Sequence, residues 1–357
     1  MPDSGYEIKL YQPSLLPQVV GLLSLLWGDN HDQNISYFRW KYHDNPFTEN
    51  PLGIVALHNG KVVGFRGYFA TKWQIGREDS DLTFLSPGDA VVDPAHRLKR
   101  LSVIMGEFAM DEYEPKHKLF FNFSASIISV PGNLRMKFIP IVDKYYLNRG
   151  NILGLLKFIM TMKNKKKLYE GKITFGDFGN ITVSDSPKPK EMAAVANRQG
   201  YDSQKIKLLQ NEDFFRWRFS NKRKKYAFYY YRNNNIITGY VVINVSGNNK
   251  RGYISDFCAD DSATIEKILA FILNKKHFEI VSIYNYSLTD AISPILRKLH
   301  FKTNSLTRII EKRKKGEVPL FVRPVRHDYS ETDCFITGLD IRKINSWEIK
   351  EICSDGA

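Results

Sequence analysis

A short basic turn between an apolar segment and an amphipathic one is the part of this chain best suited to bind a charged ligand. Residues 90–92 are small or β-branched and predict a buried strand, which ends at Pro94 because proline cannot donate to a sheet. The turn, residues 96–100, then brings Arg97, Lys99 and Arg100 to the start of a predicted helix. A helix N-terminus carries unpaired N–H groups and the positive end of the helix dipole. The sequence therefore predicts a phosphate or pyrophosphate site here.

The elements that must position this turn can be followed from the N-terminus. A strand is predicted at residues 6–11, then an apolar helix that runs to Leu26, then a short aromatic helix that Asn45-Pro46 ends. Asn59-Gly60 between two alternating apolar runs is a strong signal for a β-hairpin. The strand that ends at Pro94 follows this hairpin.

Composition and charge limit the classes of protein to which the chain can belong. Its 357 residues, 43% of them hydrophobic, are enough for two domains with cores of their own and exclude a disordered chain. A formal net charge of +14 indicates an anionic partner such as CoA, a nucleotide sugar, tRNA or acidic lipid. The cysteines and histidines show no metal-ligand spacing, so we expect a reducing compartment and no bound metal.

The sequence gives no indication of a signal peptide or of a membrane-spanning segment. The N-terminal residues lack a basic region followed by an apolar one, so we expect no signal peptide and a cytoplasmic protein. The longest apolar run, Ile152–Met162, is shorter than the roughly 20 residues that a membrane span needs. Residues 155–167 join an apolar run to a lysine cluster and could lie on an anionic membrane surface, although such a run is more often a core helix that leads into a linker.

The chain contains an internal repeat. Residues 38–42, Phe-Arg-Trp-Lys-Tyr, return as residues 215–219, Phe-Arg-Trp-Arg-Phe. Further matches follow in the same order: residues 59–64 with 234–239, Asp89 with Asp256, residues 121–124 with 284–287, and residues 134–138 with 296–301. These matches predict a duplicated domain. The second copy carries Asp260 and Asp261 in place of the basic turn, so a phosphate-bearing cofactor is expected in the first copy only.

The repeat and the composition together place the domain boundaries. We predict a first domain at residues 1–155, a linker at 156–210, a second domain at 211–318, and a C-terminal strand and tail at 319–357. The linker interpretation rests on a lysine cluster near its start and on the glycine, serine and proline residues between positions 176 and 189.

The order of a strand, a V-x-P-x-x-R turn and a helix resembles the pyrophosphate-binding segment of GNAT (GCN5-related N-acetyltransferase) acyltransferases. Their pattern, R/Q-x-x-G-x-G/A, falls on residues 97–102 of this chain. Arg97 keeps the first position, whereas Arg100 replaces the first glycine and Ser102 stands at the second small position. Because glycine lets the backbone approach phosphate oxygens closely, this turn must bind a pyrophosphate more through side chains, or bind it poorly.

The resemblance is closest to tandem GNAT proteins found with surface-polysaccharide biosynthesis enzymes. The segments that carry it are YFRWKYHDNPF (residues 37–47), GFRGYF (64–69) with Lys72-Trp73, VVDPAHR (91–97), and FVRPV (321–325) with a Trp-containing tail. The resemblance implies an α/β (mixed α+β) fold with two tandem GNAT-like domains, each a central mixed sheet flanked by helices. It further implies acetyl-CoA in the first domain and an acceptor cleft shaped by the second.

The resemblance also implies roles for particular residues. Asp89 would be the general base that deprotonates an amine through water, although its recurrence as Asp256 also fits a structural role. Ser124 is the second candidate catalytic residue. The residues implied to hold the cofactor are Val91, Val92, Arg97, Lys99, Arg100, Leu101, Ser102 and Asn133. Those implied to contact the acceptor are Tyr68, Trp73 and Ser126.

One catalytic residue of the family has no counterpart here. Many GNAT enzymes place a tyrosine general acid where this chain has Asn133, five residues before Phe138. A thiol leaving group tolerates this loss because its pKa is only about 8.5.

The function that the resemblance implies is transfer of an acetyl group from acetyl-CoA to an amino sugar, nucleotide-linked in view of the positive charge. Two alternatives stay open. One is an aminoacyl-tRNA-dependent transferase of the peptidoglycan-bridge type, and the other is a catalytically degenerate GNAT-fold binding protein. No DNA partner is expected.

Overall fold

A computed structural model describes residues 5–75, 81–150, 173–200, 202–246, 251–303 and 318–354. The stretch at residues 155–167, for which a membrane contact was considered, lies outside the described residues.

Strands and helices alternate along most of the chain. The helices are α1 (Leu16–Trp27), α2 (His31–Phe38), α3 (Leu101–Tyr113), α4 (Val130–Arg135), α5 (Pro189–Arg198), α6 (Glu212–Arg218), α7 (Ser262–Asn274) and α8 (Ile292–Lys298). The strands are β1 (Tyr6–Leu10), β2 (Leu52–His58), β3 (Lys61–Ile75), β4 (Asp81–Val92), β5 (Leu119–Asn122), β6 (Ile139–Asp143), β7 (Tyr146–Gly150), β8 (Gly176–Phe178), β9 (Ile181–Ser184), β10 (Ile206–Leu208), β11 (Tyr226–Asn233), β12 (Ile236–Val245), β13 (Arg251–Ala259), β14 (Ile280–Tyr284), β15 (Pro319–Pro324), β16 (Phe335–Ile336), β17 (Leu339–Asp340) and β18 (Trp347–Glu348).

The first sheet follows the order β1-β2-β3-β4-β5-β15-β6, and β10 joins β18 to the far end of β3. The predicted hairpin is present: β2 and β3 meet at Asn59 and Gly60, whose φ angles of 49° and 75° are those that a two-residue hairpin turn needs. Alternate residues of β2 face opposite layers. Val55 packs with α1, whereas Ile54 packs with α3. The sheet therefore lies between two helical layers.

The second sheet follows the order β7-β14-β13-β12-β11-β9-β8. Helices α7 and α8 cover one of its faces, where Ile268 and Leu296 pack against strand residues such as Val241. The opposite face packs against the first half of the chain. There the aromatic residues Tyr240 and Trp73 belong to one continuous core.

Each sheet contains a strand from the opposite part of the chain. Strand β15 lies between β5 and β6, and β7 pairs with β14. Strand β7 lies before the predicted boundary at residue 155 but belongs to the second sheet, whereas the chain returns to the first sheet with β15, directly after the boundary predicted at residue 318. The sequence did not indicate this exchange because a short strand does not specify its partner. Since each half supplies a strand to the other, the halves cannot separate without breaking both sheets.

The stretch predicted as a linker, residues 156–210, has regular structure where it is described. Strands β8 and β9 form the edge of the second sheet, α5 buries Met192 in the shared core, and β10 pairs with β3. The lysine cluster that suggested a linker lies outside the described residues, while the short strands and the helix agree with a linker that has some regular structure. Gly179 has a φ of 62° between β8 and β9, and Pro189 opens α5.

Candidate active site

An opening between two parallel strands forms the centre of the candidate site. Among the described residues, β4 and β5 pair at one position only, Leu85 with Phe120, and then diverge. Parallel strands end at the same edge of a sheet, so the residues after β4 and after β5 face each other across this opening. The Ser124 hydroxyl donates to the Pro87 carbonyl at 3.3 Å and joins the two sides. Ser124 thus lies at the opening, and its catalytic role stays a prediction.

A bulge in β4 shapes the wall of the opening. In the pairing with β3, Phe65 lies opposite Val91 and Gly67 lies opposite Gly88, so two residues of β4 face Arg66 alone. One of them, Asp89, has a φ of 43°. Bulges bend a strand and redirect its side chains and amide groups. Here the bend comes directly before Val91 and Val92, two of the residues expected to hold the cofactor.

Asp89 is held by three donors. Its carboxylate accepts hydrogen bonds from the Trp27 indole at 3.1 Å, the Lys41 ammonium at 2.5 Å and the Tyr42 hydroxyl at 2.6 Å. All three donors come from the layer of α1 and α2 and the π-helical segment Arg39–His43 that follows it. Sequence reasoning missed these partners; the only available signal was a lysine inside an otherwise aromatic helix. The expected general base is thus a carboxylate with three of its roughly four lone pairs engaged, and Oδ2 accepts from both Lys41 and Tyr42.

The basic turn has the conformation of an anion site. Leu98 and Arg100 both lie in the left-handed region, with φ of 64° and 60°. Among the described residues no acceptor is bonded to the backbone amides of residues 98–102. The side chains of Arg97, Lys99 and Arg100 are exposed. The turn therefore offers free N–H groups and three cations at the N-terminus of α3, a combination that suits a pyrophosphate.

A buried arginine supports the start of α3 from below. The Arg66 guanidinium donates to the Ser102 carbonyl at 3.2 Å, and its Nε has no hydrogen-bond partner among the described residues. Only 4% of Arg66 is exposed. Its position inside the apolar strand segment Gly64–Gly67 was the only sequence signal for a buried arginine, and its role was not predicted. Ser102 is thus fixed against the sheet, while Leu101 is buried beneath the turn.

Asn133 lies behind the opening with a spare donor. Its Oδ1 accepts a hydrogen bond from Asn122 at 3.4 Å, whereas its Nδ2 has no partner among the described residues. Burying a polar group without a partner costs about 1–3 kcal/mol. A ligand carbonyl placed in the opening would supply the missing acceptor. Asn133 was one of the predicted cofactor residues, and its role stays a prediction.

The three predicted acceptor residues occupy different environments. Trp73 is fully buried, donates to Thr71 at 2.9 Å and stacks on Phe121, so it is a core residue in this structure. Tyr68 is 3% exposed and packs on Tyr113 beneath α3. Ser126 is exposed in the loop after β5. Only Ser126 reaches the surface at the opening. Trp73 was misplaced by sequence reasoning because the C-terminal Trp347, which covers it, lies far away in the chain.

The second half holds the repeated aspartate in a closed cage. Asp256 is fully buried and accepts hydrogen bonds from Gln210 and Tyr240, with the Lys350 ammonium 3.4 Å away. Burial raises the pKa of Asp256, while the charge of Lys350 opposes the rise. In the same half, Asp261 caps the first turn of α7 by accepting from the Thr264 amide at 2.7 Å. An acidic cap occupies the place that the basic turn has in the first half.

The described residues form neither a metal-binding cluster nor a membrane-spanning helix. Within the described ranges, no group of three or more His, Cys, Asp or Glu residues is arranged to hold a metal ion. Likewise, no helix in the described part of the chain is long and apolar enough to cross a membrane.

Comparison with known proteins establishes the fold. No protein family and no curated protein sequence matches this chain. Several solved structures do. An Anabaena variabilis ATCC 29413 GCN5-related N-acetyltransferase matches with a TM-score of 0.59 and 10% identity, and an Enterococcus faecalis V583 protein described as a probable N-acyltransferase matches with 0.57 and 9%. Eis1 from Mycobacterium abscessus matches with 0.51 and 11%. Each match covers 90% of this chain and 73% of the other. The chain therefore has the GNAT fold, as its sequence predicted.

Proposed function

We propose that this protein is an acyltransferase that moves an acetyl group from acetyl-CoA to an amine. The observation that carries the proposal is the opening between β4 and β5, with a basic turn of unbonded amides at one end. The solved structures with this fold that are named as N-acetyltransferases or N-acyltransferases support the same activity. The thioester is the activated acyl group that CoA supplies when it is bound.

The basic turn would hold the pyrophosphate of CoA. The amides of residues 98–102 lie at the N-terminus of α3, which is the positive end of its dipole. The side chains of Arg97, Lys99 and Arg100 add positive charge there. Arg100, which stands where the family pattern has its first glycine, takes the left-handed conformation that glycine adopts most easily. The backbone path of a phosphate-binding turn is thus kept with a different residue, so binding relies on side chains and amides together. Asn133 would donate to the pantetheine arm.

The bulged end of β4 would stabilise the reacting carbonyl. Between Ser86 and Val92 this strand pairs with no residue of β5 among the described residues, and only the Ser124 hydroxyl bridges to it, at the Pro87 carbonyl. Asp93 donates to Val63 of β3 and Val91 lies opposite Phe65, so by alternation the Val92 amide faces the β5 side and would donate to the oxygen that becomes negative as the amine attacks. Such donors lower the barrier because they are already in place when charge develops. The thiolate then leaves as the amide bond forms.

Asp89 acts in this proposal mainly as a positioning residue. A general base needs a free lone pair within hydrogen-bond reach of the amine or of a bridging water. The carboxylate of Asp89 already accepts from Trp27, Lys41 and Tyr42. It therefore fixes the bulge against the α1 and α2 layer. Its Oδ1 accepts only from Trp27 and keeps one lone pair, so a proton could be taken up there or by way of the Tyr42 hydroxyl.

The acceptor that fits best is an amino sugar. The basic charge of the chain favours an acceptor with an attached phosphate, such as a nucleotide-linked amino sugar used in surface-polysaccharide synthesis. The second half would shape the acceptor cleft, because its acidic α7 cap disfavours a pyrophosphate there.

Thiol release tests the activity directly. Acetyl-CoA is incubated with a panel of amino sugars and nucleotide-linked amino sugars, and free CoA is measured against a no-acceptor control. Acceptor-dependent release that Asn133→Leu reduces supports the proposal. Binding of acetyl-CoA without release from any acceptor would instead favour the degenerate binding protein. Binding of tRNA that weakens steeply with salt, without acetyl-CoA binding, would favour the tRNA-dependent alternative.

A further inference from the structure

A cavity lies where the two halves of the chain meet. It has a volume of about 410 Å³ and is lined by α2, by the segment Arg39–His43 and by residues 220–223 of the loop after α6. We refer to it as the junction pocket. Because its walls come from both halves, neither half forms it alone.

The junction pocket presents donors that have no partner. Asn221 is 3% exposed; its Oδ1 accepts from the Arg223 amide at 3.0 Å, while its Nδ2 has no hydrogen-bond partner among the described residues. The Nε of Arg223 also lacks one. The same guanidinium donates to Asn34, which ties it across the junction. Leaving such buried donors unpaired is costly, and an oxygen ligand would satisfy them.

Charge and aromatic stacking select the kind of ligand. Arg39 and Lys222 stand exposed on the rim with Asp32 and Asp44, so the pocket including Arg223 has a net charge of about +1. The Arg223 guanidinium lies 4.4 Å from the centre of the Tyr37 ring. Burial lowers the pKa of Arg223, and the nearby Tyr37 and Asp89 oppose this change. An anion in the pocket would further stabilise the charged arginine.

The junction pocket is connected to the acyl-transfer opening through one tryptophan. Trp27 packs edge-on against Tyr37, with ring centres 4.8 Å apart, and lies 5.2 Å from the Arg223 guanidinium. The indole of Trp27 donates to Asp89, which stands in the β4 bulge. Trp27 thus links the wall of the junction pocket to the bulge at the reacting end of β4.

We propose that the junction pocket binds an acidic group, phosphate or carboxylate, of the amine acceptor. Charge-assisted bonds from Arg223 and a neutral bond from Asn221 would hold the anion, and Lys222 would attract it. The inference rests on the proposed acyltransferase function, since it names the acceptor class of that site. It predicts that acidic amino sugars are better acceptors than neutral ones.

Calorimetric titration in an Arg97→Glu/Arg100→Glu background tests the pocket separately from the basic turn. The probes are glucosamine 6-phosphate, muramic acid and uncharged glucosamine. We expect at least one acidic sugar to bind about tenfold tighter than glucosamine, and the preferred one identifies phosphate or carboxylate. Equal affinity for all three would contradict the proposal.

Asn221→Asp is the sharpest variant because it keeps the oxygen that accepts from the Arg223 amide and replaces the unpaired donor with an acceptor. We expect it to weaken binding of the acidic sugar about tenfold. Lys225→Gln changes the charge equally in an exposed residue outside the pocket and should have no effect. If Asn221→Asp does not fold, Lys222→Gln on the exposed rim should still weaken binding. Unchanged binding in both pocket variants would leave Arg223 with a purely structural role.

The binding experiment tests the junction pocket whether or not the protein transfers an acetyl group. Binding that depends on Asn221 stands even if no acetyl transfer is found. Conversely, acetyl transfer with equal kcat/KM for the three sugars would contradict the junction pocket and leave the acyltransferase proposal intact.

Discussion

Trp40 and Trp217, the central residues of the two repeated pentapeptides, stack on each other and exchange hydrogen bonds. Their rings lie 5.5 Å apart at 16°, the Trp40 indole donates to the Trp217 carbonyl at 2.9 Å, and the Trp217 indole donates to the Trp40 carbonyl at 2.8 Å. Both are buried. The sequence repeat is therefore also a repeat in space, and its two copies meet at this pair. We infer that the pair is a main contact holding the halves together.

Trp217→Phe keeps an aromatic ring but removes the N–H that serves the Trp40 carbonyl. We expect a loss of about 1–3 kcal/mol in the free energy of unfolding, because a buried acceptor is left unpaired. Urea denaturation measures it, and Trp40→Phe should behave alike. A matched control is Phe335→Leu, an exposed aromatic residue remote from the pair, which should change stability little. Wild-type stability in both tryptophan variants would contradict this assignment.

Glu351 gives the protein a pH-dependent stability term. Only 8% of it is exposed, and burial raises its pKa from the usual 4.5 to about 7, partly opposed by Lys224 and by a hydrogen bond from Ser255. Since the pKa is raised in the folded state, the protonated Glu351 adds to the free energy of unfolding. This stabilisation is fully present below pH 4.5 and is lost as the pH rises to about 7. We expect Glu351→Gln, which mimics the protonated form, to be more stable than wild type at pH 8 by about 2–3 kcal/mol.

The difference between Glu351→Gln and wild type should vanish at pH 4. Denaturation of both proteins at the two pH values measures it. A constant difference at both values would show that Glu351 does not change its protonation on unfolding.

Lys350 compensates a buried charge in the second half. Its ammonium lies 3.4 Å from Asp256 and donates to the Phe257 carbonyl at 2.8 Å. Lys350→Met would leave the carboxylate of Asp256 buried without a counterion, and we expect a loss of about 3–5 kcal/mol. Adding Asp256→Asn should restore much of that stability, because no buried charge then remains. A double variant less stable than Lys350→Met would rule out this account of the pair.

Local sequence signals predicted the β2–β3 hairpin, the end of β4 and the start of α3 correctly. Asn59-Gly60 fixed the hairpin because few dipeptides adopt two positive φ angles, and Pro94 fixed the end of β4 because it cannot continue a sheet. The basic turn and α3 followed from charge placement and periodicity. These are local properties, set by neighbours within a few residues.

What the sequence did not reveal depends on distant contacts. The partners of Asp89 lie 47 to 62 residues away, so its engaged carboxylate could not be foreseen. Strands β7 and β15 have ordinary strand patterns, and only the assembled sheets show that each belongs to the opposite half. The junction pocket likewise depends on how two repeats meet.

The left-handed turn offers a test of backbone strain. Leu98 has a φ of 64° and a fully exposed side chain, so replacing it loses no packing. We expect Leu98→Gly to stabilise the fold by about 0.5–1 kcal/mol, the relief of strain less the added freedom of the unfolded chain. Leu134→Gly, an exposed position inside α4, should instead destabilise it by about 1 kcal/mol. The same sign for both variants would contradict a strained turn.

Calorimetric binding of acetyl-CoA tests the central claim most directly. Wild type should bind one acetyl-CoA per chain, and Arg97→Glu/Arg100→Glu should lose binding, because the pyrophosphate then meets two acidic side chains at the start of α3. Arg297→Glu/Lys302→Glu makes the same charge change at exposed residues of the second half and should bind normally. Absence of binding in the wild type at low salt, or normal binding in the Arg97/Arg100 variant, would contradict the account.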